Sequence, residues 1–265
     1  MLPEYNAIAF DRIIDKGGRT KPWSVLVDTG VSIRPFVVKM FTTQLIESRD
    51  SVTNEILGNV LARSFDLPVP EAALIHMDES FRQTIHSTEA QMAYDQADER
   101  VKFGCVFMQG HYLFNSDFTK VQAAKMVDLD TLFAFDNLIR NRDRNRVKPN
   151  LLVKGRSAFL IDHELGFEID ATTLAKYQNG EWDKGFYENH IFWNYLKRSR
   201  KHTKRHYFSS FEEYLKRLPV NQLASNFRQL VNYGYSPARQ TVIRDYLYAM
   251  KKNPTTFVDL LKSFI

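Results

Sequence analysis

The stretch Asn141-Arg142-Asp143-Arg144-Asn145-Arg146-Val147-Lys148-Pro149-Asn150-Leu151-Leu152-Val153-Lys154-Gly155-Arg156-Ser157-Ala158-Phe159-Leu160-Ile161-Asp162-His163-Glu164 decides how this chain is read. It opens as a strongly polar loop and runs into two short apolar segments, 151–153 and 158–161, joined by a turn-prone Lys-Gly-Arg-Ser. Read as a tight hairpin, it brings Asn150 and Asp162 to neighbouring open ends, with Asp143 on the loop just before them. Each is an ordinary turn residue when met alone. Three on one hairpin, all emerging from apolar elements, point to chemistry. A carboxylate that orients a hydroxyl and accepts its proton, beside an amide oxygen and a second carboxylate that hold a hard cation, is the set phosphoryl transfer needs. Magnesium takes few protein ligands and draws the rest from phosphate and water, so two suffice.

Upstream, residues 120–139 carry Val121, Ala124, Val127, Leu132, Phe135 and Leu138 close to one face, and the spacing predicts one helix that delivers the loop. The N-terminal third reads as strands and turns followed by a helix. Segments 23–27 and 35–41 are strand-like, with Asp28-Thr29-Gly30 beginning the turn between them. Ile56, Leu57, Val60, Leu61 and Phe65 recur at helical spacing after a cap at Asp50 or Ser51, and Pro68 and Pro70 end that helix. Lys39 interrupts an apolar strand, a place for an exposed edge or for a cation that meets phosphate. Glu55, sixteen residues on, is the carboxylate that could steady it. Gly17-Gly18-Arg19-Thr20-Lys21-Pro22 offers backbone N–H groups and a hydroxyl to phosphate, a weak signal by itself. Further strands are expected over 72–77 and 101–108, separated by a polar excursion over 78–100. Gln109-Gly110 is a natural hinge. From Phe208 onward the pattern predicts three amphipathic helices, with breaks near Pro219, Pro237 and Pro254. Strands first and helices after make an α+β chain.

The run Asn141-x-Asp143-Arg144, Pro149-Asn150-Leu151-Leu152 and Leu160-Ile161-Asp162-His163 resembles the HipA-like kinase superfamily, closest to its small stand-alone branch. Val37-Val38-Lys39, Asn54-Glu55 and Leu67-Pro68-Val69-Pro70 resemble the N-terminal lobe of that family in the same order, so the likeness covers roughly residues 10 to 168. It implies a two-lobed protein-kinase-like fold: an N-lobe over 1–109 with strands and one main helix, and a C-lobe over 110–265 with the catalytic loop, the metal hairpin and helices. It implies ATP and Mg2+ as cofactors. Lys39 would contact phosphates and Asp143 would be the catalytic base. Asn150 and Asp162 would bind magnesium, and Glu55, Gly18, Thr20, Met108 and Gly110 would line the nucleotide. HipA itself is the toxin of a toxin–antitoxin pair and phosphorylates a protein hydroxyl. The expected reaction is therefore serine/threonine phosphorylation of a protein substrate, with an antitoxin-like or regulatory protein as a further partner. The chain departs from the family at Lys148, which stands where the metal-binding Asn is expected, five residues after Asp143. Asn150, directly before the strand, takes that role here, with Asn145 a weaker candidate. This departure keeps a nucleotide-binding pseudokinase or scaffold in view, and a small-molecule kinase shares the same parts.

Composition agrees with a folded, cytoplasmic protein. Among 265 residues 44% are hydrophobic and 25% charged, and no apolar run approaches the roughly 20 residues needed to cross a bilayer. The first ten residues do not read as a secretory signal. A single cysteine, Cys105, excludes an internal disulfide or a cysteine-based zinc cluster, and the seven histidines form no close pair at metal spacing. The net charge of +5 suits an anionic partner such as a nucleotide; nucleic acid is not the expected one. The basic run over 197–206 reads first as a solvated face, and second as a docking patch interleaved with Trp193, Tyr195 and Tyr207.

Overall fold

The computed structural model describes residues 1–14, 21–115, 117–182 and 187–265. Five strands make a closed barrel: β1 (Glu4–Ile13), β2 (Trp23–Asp28), β3 (Ile33–Val38), β4 (Ala72–His76) and β5 (Lys102–Val106), in the order β1-β2-β3-β5-β4. Parallel pairing of β1 with β4 (Glu4 opposite Leu74, Asn6 opposite His76) closes the ring and leaves no free edge. Alternation builds the interior. Trp23, Val25 and Val27 point inward with Phe36 and Val38, while Leu26 faces out. The excursion after β4 forms two helices, α3 (Glu79–Arg82) and α4 (Thr88–Gln96), whose Phe81 and Ala90 join the same core. Two strand readings shift. The segment expected to run over 35–41 leaves the sheet after Val38, so Lys39 lies just beyond the strand, with its N–H donating to the Phe103 carbonyl at 3.3 Å. The long β1 goes beyond the elements expected from sequence.

Between the barrel and the helical remainder lie α1 (Thr43–Arg49) and α2 (Ser51–Ser64). Asp50 joins them with a left-handed φ of 52° and no side-chain capping bond, so the expected cap is instead a corner between two helices. Almost every face of α2 is buried, as in a helix at the centre of a structure. Val52 and Ile56 pack toward the barrel side, and Leu57, Leu61 and Ala62 toward the helical core. Its buried polar side chains must then find partners inside. Asn54 Nδ2 donates to the carbonyls of Arg49 and Glu164, each at 2.9 Å, and Asn59 Nδ2 donates to that of Pro70 at 3.0 Å.

The helical part begins with β6 (Tyr112–Leu113), α5 (Lys120–Ala124) and α6 (Leu129–Leu138). The single helix expected over 120–139 is broken because Asp128 caps a new start: its carboxylate accepts from the Thr131 N–H at 3.3 Å and hydroxyl at 2.9 Å. β7 (Leu151–Lys154) and β8 (Ser157–Leu160) form the expected hairpin, and β6 adds a third strand to it. Then come α7 (Ala171–Gln178), α8 (Trp193–Lys197), α9 (Lys201–Lys204), α10 (Ser209–Arg217), α11 (Leu223–Asn232), α12 (Gln240–Lys252) and α13 (Pro254–Lys262). From Phe208 onward the chain makes four helices where three were expected, divided at Pro219, after Gly234 and at Asn253-Pro254. Among the described residues no helix is long and apolar enough to cross a membrane. The chain is thus α+β, strand-rich first and helical after.

One close approach sets how α2 meets the hairpin exit. A Cβ added at Gly58 would lie 2.4 Å from both Cβ and Cγ of buried His163, nearer than real atoms come. Gly58→Ala should therefore lower stability by about 1–3 kcal/mol through overpacking, read as a fall in the urea midpoint at unchanged slope. An unchanged midpoint would mean that α2 is not held against residue 163.

Candidate active site

The loop after α6 is fixed from beneath by a buried ion pair. Asp136, on the last turn of α6, accepts from Arg144 Nε at 2.7 Å and from Asn141 Nδ2 at 3.0 Å, and His190 Nε2 lies 3.0 Å away. Asp136 and Arg144 are both closed to solvent. Burial alone would raise the Asp136 carboxyl, but the Arg144 charge and the His190 contact hold it below the usual carboxylate range. The Arg144 guanidinium then reaches the carbonyls of Asn150, in a very short contact, and Ile161, at 3.4 Å. The Ile161 N–H donates to the Asn150 carbonyl at 3.1 Å. One arginine thereby ties together the two open ends of the hairpin.

Above this floor, Asn150 and Asp162 both take left-handed backbone angles, φ 48° and 62°, a region that Asn and Asp tolerate better than most residues. Asn150 Nδ2 donates to Asp143 Oδ2 at 3.1 Å. The same oxygen receives Lys148 Nζ at 3.1 Å. Asn145, the weaker candidate for a metal ligand, spends its side-chain oxygen on the Val147 and Lys148 N–H groups, both at 2.9 Å, and so closes the loop. No hydrogen bond among the described residues engages the Asn150 side-chain oxygen or the second carboxylate oxygen of Asp162. Those two hard oxygens suit a magnesium ion.

Lys39 reaches across from the barrel. Its ammonium pairs with Glu55 in a very short contact, with Asp162 at 2.5 Å and with Glu164 at 3.2 Å. Burial opposes its charge, yet the three carboxylates hold its pKa well above that of an ordinary lysine. Oxygens of Glu55, Asp162 and Glu164 all lie within 4.8 Å of one another. Three acids around one base leave excess negative charge, and the deepest acid is the one driven toward its neutral form. Burial, with the Asp162 charge adding to it, pushes Glu55 up to about 7 in spite of Lys39. Burial also works against Asp162, but the Lys39 ammonium keeps that carboxyl low. Glu55 Oε2 accepts the His163 N–H at 3.1 Å, so this one carboxylate links Lys39 to the backbone beside Asp162. His163 is pushed down to about 3, by burial first, and is a neutral packing residue.

Of the residues singled out from sequence, Lys39, Glu55 and Asp162 come together directly, and Asn150 joins Asp143. Met108 and Gly110 (φ 74°) lie on the connection from β5 to β6, Met108 buried and Gly110 exposed. Gly18 and Thr20 fall outside the described residues. Sequence reasoning gave no role to Glu164, Asp136 or His190; of these only Glu164 carried a signal, two residues after Asp162. Burial pushes the Cys105 thiol up to about 12, which leaves it unreactive. Across the basic run, Trp193 Nε1 donates to the Phe264 carbonyl at 3.0 Å, Tyr195 bonds the Phe118 carbonyl, and Tyr207 bonds Ser199 Oγ at 2.6 Å. These aromatic groups serve the protein's own packing.

Comparison with known proteins gives a family and a fold. The family described as HipA-like kinase matches residues 12–244. Among solved structures, the crystal structure of the Helicobacter pylori proinflammatory kinase CtkA superposes with a TM-score of 0.52 at 12% identity, covering 100% of this chain and 98% of that one. At that identity the likeness is one of fold. No curated protein matches.

Two outcomes follow from the site. Arg144→Met leaves the Asp136 carboxylate buried without its main counter-charge and should cost about 3–5 kcal/mol in urea unfolding, with the double variant Asp136→Asn/Arg144→Met recovering part of it. The second concerns pH. Glu55 has an ordinary value of 4.5 and sits at about 7 when folded, so the folded state holds the extra proton between those values. Its contribution to stability is therefore lost as pH rises through that window. His163 acts in the opposite sense but is common to both proteins in a comparison with Glu55→Gln. The melting temperature of the wild type relative to Glu55→Gln should fall as pH rises from 4.5 to 7, and a flat difference would contradict the Glu55 assignment.

Proposed function

The chain belongs to the HipA-like kinase family, and we propose that it is an ATP- and magnesium-dependent kinase acting on a serine or threonine hydroxyl of a protein. The barrel with α1 and α2 serves as the N-lobe, over 1–109, and residues 110–265 as the C-lobe. The observation that carries this reading is the meeting of two pairs at the hairpin mouth, Lys39 with Asp162 and Asn150 with Asp143. Magnesium-bound ATP supplies an activated phosphoryl group whose charge the metal offsets. Lys39 turns from its carboxylates to the phosphates, and a metal held at Asp162 would make up the positive charge that this move takes from the acids. Asn150 and Asp162 offer their unengaged oxygens to the metal. Asp143, held by the Asn150 amide, orients the acceptor hydroxyl and takes its proton. This work is mostly positioning and charge, as phosphoryl transfer requires.

Room for a macromolecular acceptor lies in a cleft that adjoins this mouth at Glu164 and is not lined by Lys39, Asp143, Asn150 or Asp162. It measures about 1430 Å³ and is lined by Arg49, Asn54, Arg142, Glu164, Lys176 and Trp182 among others. Small-molecule sites usually measure about 300–1,000 Å³. A polypeptide segment suits the larger space better than a free metabolite.

With γ-labelled ATP and Mg2+ the wild type should transfer label to itself or to an added protein. Asp143→Ala should slow transfer about 10²–10⁴-fold, the usual worth of a general base, at unchanged melting temperature. Asp162→Ala should abolish it. Wild-type labelling by either variant would remove the role given to that residue. ATP binding without transfer to any hydroxyl would favour the pseudokinase reading.

A further inference from the structure

Lys148 occupies the one position where the loop departs from the family's expected pattern, and its geometry gives it a use. The loop is built to present it. The Lys148 N–H donates to Asn145 Oδ1 and its carbonyl accepts the Asn145 N–H, both at 2.9 Å, so residues 145–148 form a closed turn. Pro149 follows at once and stiffens the exit. From this turn Lys148 Nζ comes to 3.1 Å from Asp143 Oδ2, the oxygen that Asn150 also holds. Its charge also adds, after that of Lys39, to what holds the Asp162 carboxyl low.

Stability does not account for this arrangement. The Lys148 side chain is 45% exposed, and an ion pair so open to water adds little to stability. An ammonium has three N–H donors, and the contact with Asp143 uses one of them. The phosphoryl group in transfer spreads its charge over three oxygens, and a fixed cation beside the acceptor's base meets that charge as it develops.

We propose that Lys148 is a catalytic cation that bridges Asp143 to the transferred phosphoryl group, distinct from Lys39 on the barrel side. The inference rests on the kinase reading above. Asp143 takes the acceptor hydroxyl's proton as that oxygen bonds to the γ-phosphorus. The bond from that phosphorus to the β–γ bridging oxygen breaks, and its electron pair leaves with ADP. Lys148 keeps its three protons throughout and donates hydrogen bonds to Asp143 and to a phosphoryl oxygen. The side chain thus replaces the expected metal-binding amide at this position with a positive charge, while Asn150 supplies the amide.

The test has two parts. The full chain is treated with an acyl-phosphate derivative of ATP, which acylates amines that lie against the terminal phosphate, and the modified lysines are mapped by mass spectrometry. Acylation of both Lys39 and Lys148, suppressed by excess ATP, is expected. In parallel, Lys148→Met should lower kcat about 10²–10³-fold, as for loss of one preorganised donor to the transition state. Its KM for ATP should stay within about twofold, because Lys148, though near the terminal phosphate in the bound state, strengthens its contact as charge develops during transfer. The melting temperature should not move, and Lys148→Arg should restore most of the rate. Labelling of Lys39 alone overturns the inference and leaves the kinase reading standing. So does an unchanged kcat, or a loss that tracks the melting temperature and is not restored by arginine. Labelling of neither lysine overturns the nucleotide reading, and this inference with it.

Discussion

The buried pair between Asp136 and Arg144 is the constraint on which the rest of the site depends. Nothing from solvent can replace either partner, so the last turn of α6 and the loop that follows it move as one body. Because the same guanidinium also holds the carbonyls of Asn150 and Ile161, the hairpin ends are fixed to that body too. A buried ion pair is weak evidence for stability, since taking two charges out of water is costly. What it supplies here is placement. Asp143, Asn150 and Asp162 come from the loop and from the two open ends of the hairpin, and one arginine sets the floor from which all three project.

A second arrangement joins the barrel to that floor. Lys39 lies immediately beyond β3, its N–H still bonded to the Phe103 carbonyl of β5, and Glu55 projects from a helix buried on almost every face. Glu55 contacts both the Lys39 ammonium and the backbone of His163, so the two halves of the site are coupled through a single carboxylate. The coupling is charge-sensitive. One ammonium among three acids is an unbalanced cluster, and the imbalance favours an incoming divalent cation on the acids. The polar atoms of α2 fit the same logic: Asn54 binds the Glu164 carbonyl, which places that acid within reach of Lys39.

Much of this was legible in the residues. The hairpin over 151–161, with Asn150 and Asp162 at its ends, followed from two apolar runs around a glycine turn, because strand pairing is a short-range consequence of pattern and turn chemistry. Glu55 was readable as a partner for Lys39 because helical spacing fixed which helix followed the strand. Asp136 and His190 were not legible, for a physical reason. Asp136 sits inside an apolar helix, where its meaning depends on an arginine eight residues on and a histidine 54 residues on. No local periodicity encodes that encounter. The break at Asp128 was hidden in the same way, since apolar spacing continues across it and only the side-chain cap interrupts the helix. Likewise Lys39 read as a strand residue, yet the sheet ends one residue earlier.

The central claim is that these two halves form one site for magnesium-bound nucleotide. Calorimetric titration with a non-hydrolysable ATP analogue, with and without Mg2+, on the wild type and on Asn150→Ala, tests it most directly. The account predicts binding that strengthens sharply with Mg2+ in the wild type, and a loss of most of that metal dependence in Asn150→Ala while the fold persists. Equal affinity with and without the metal, or a metal dependence untouched by the substitution, would contradict it.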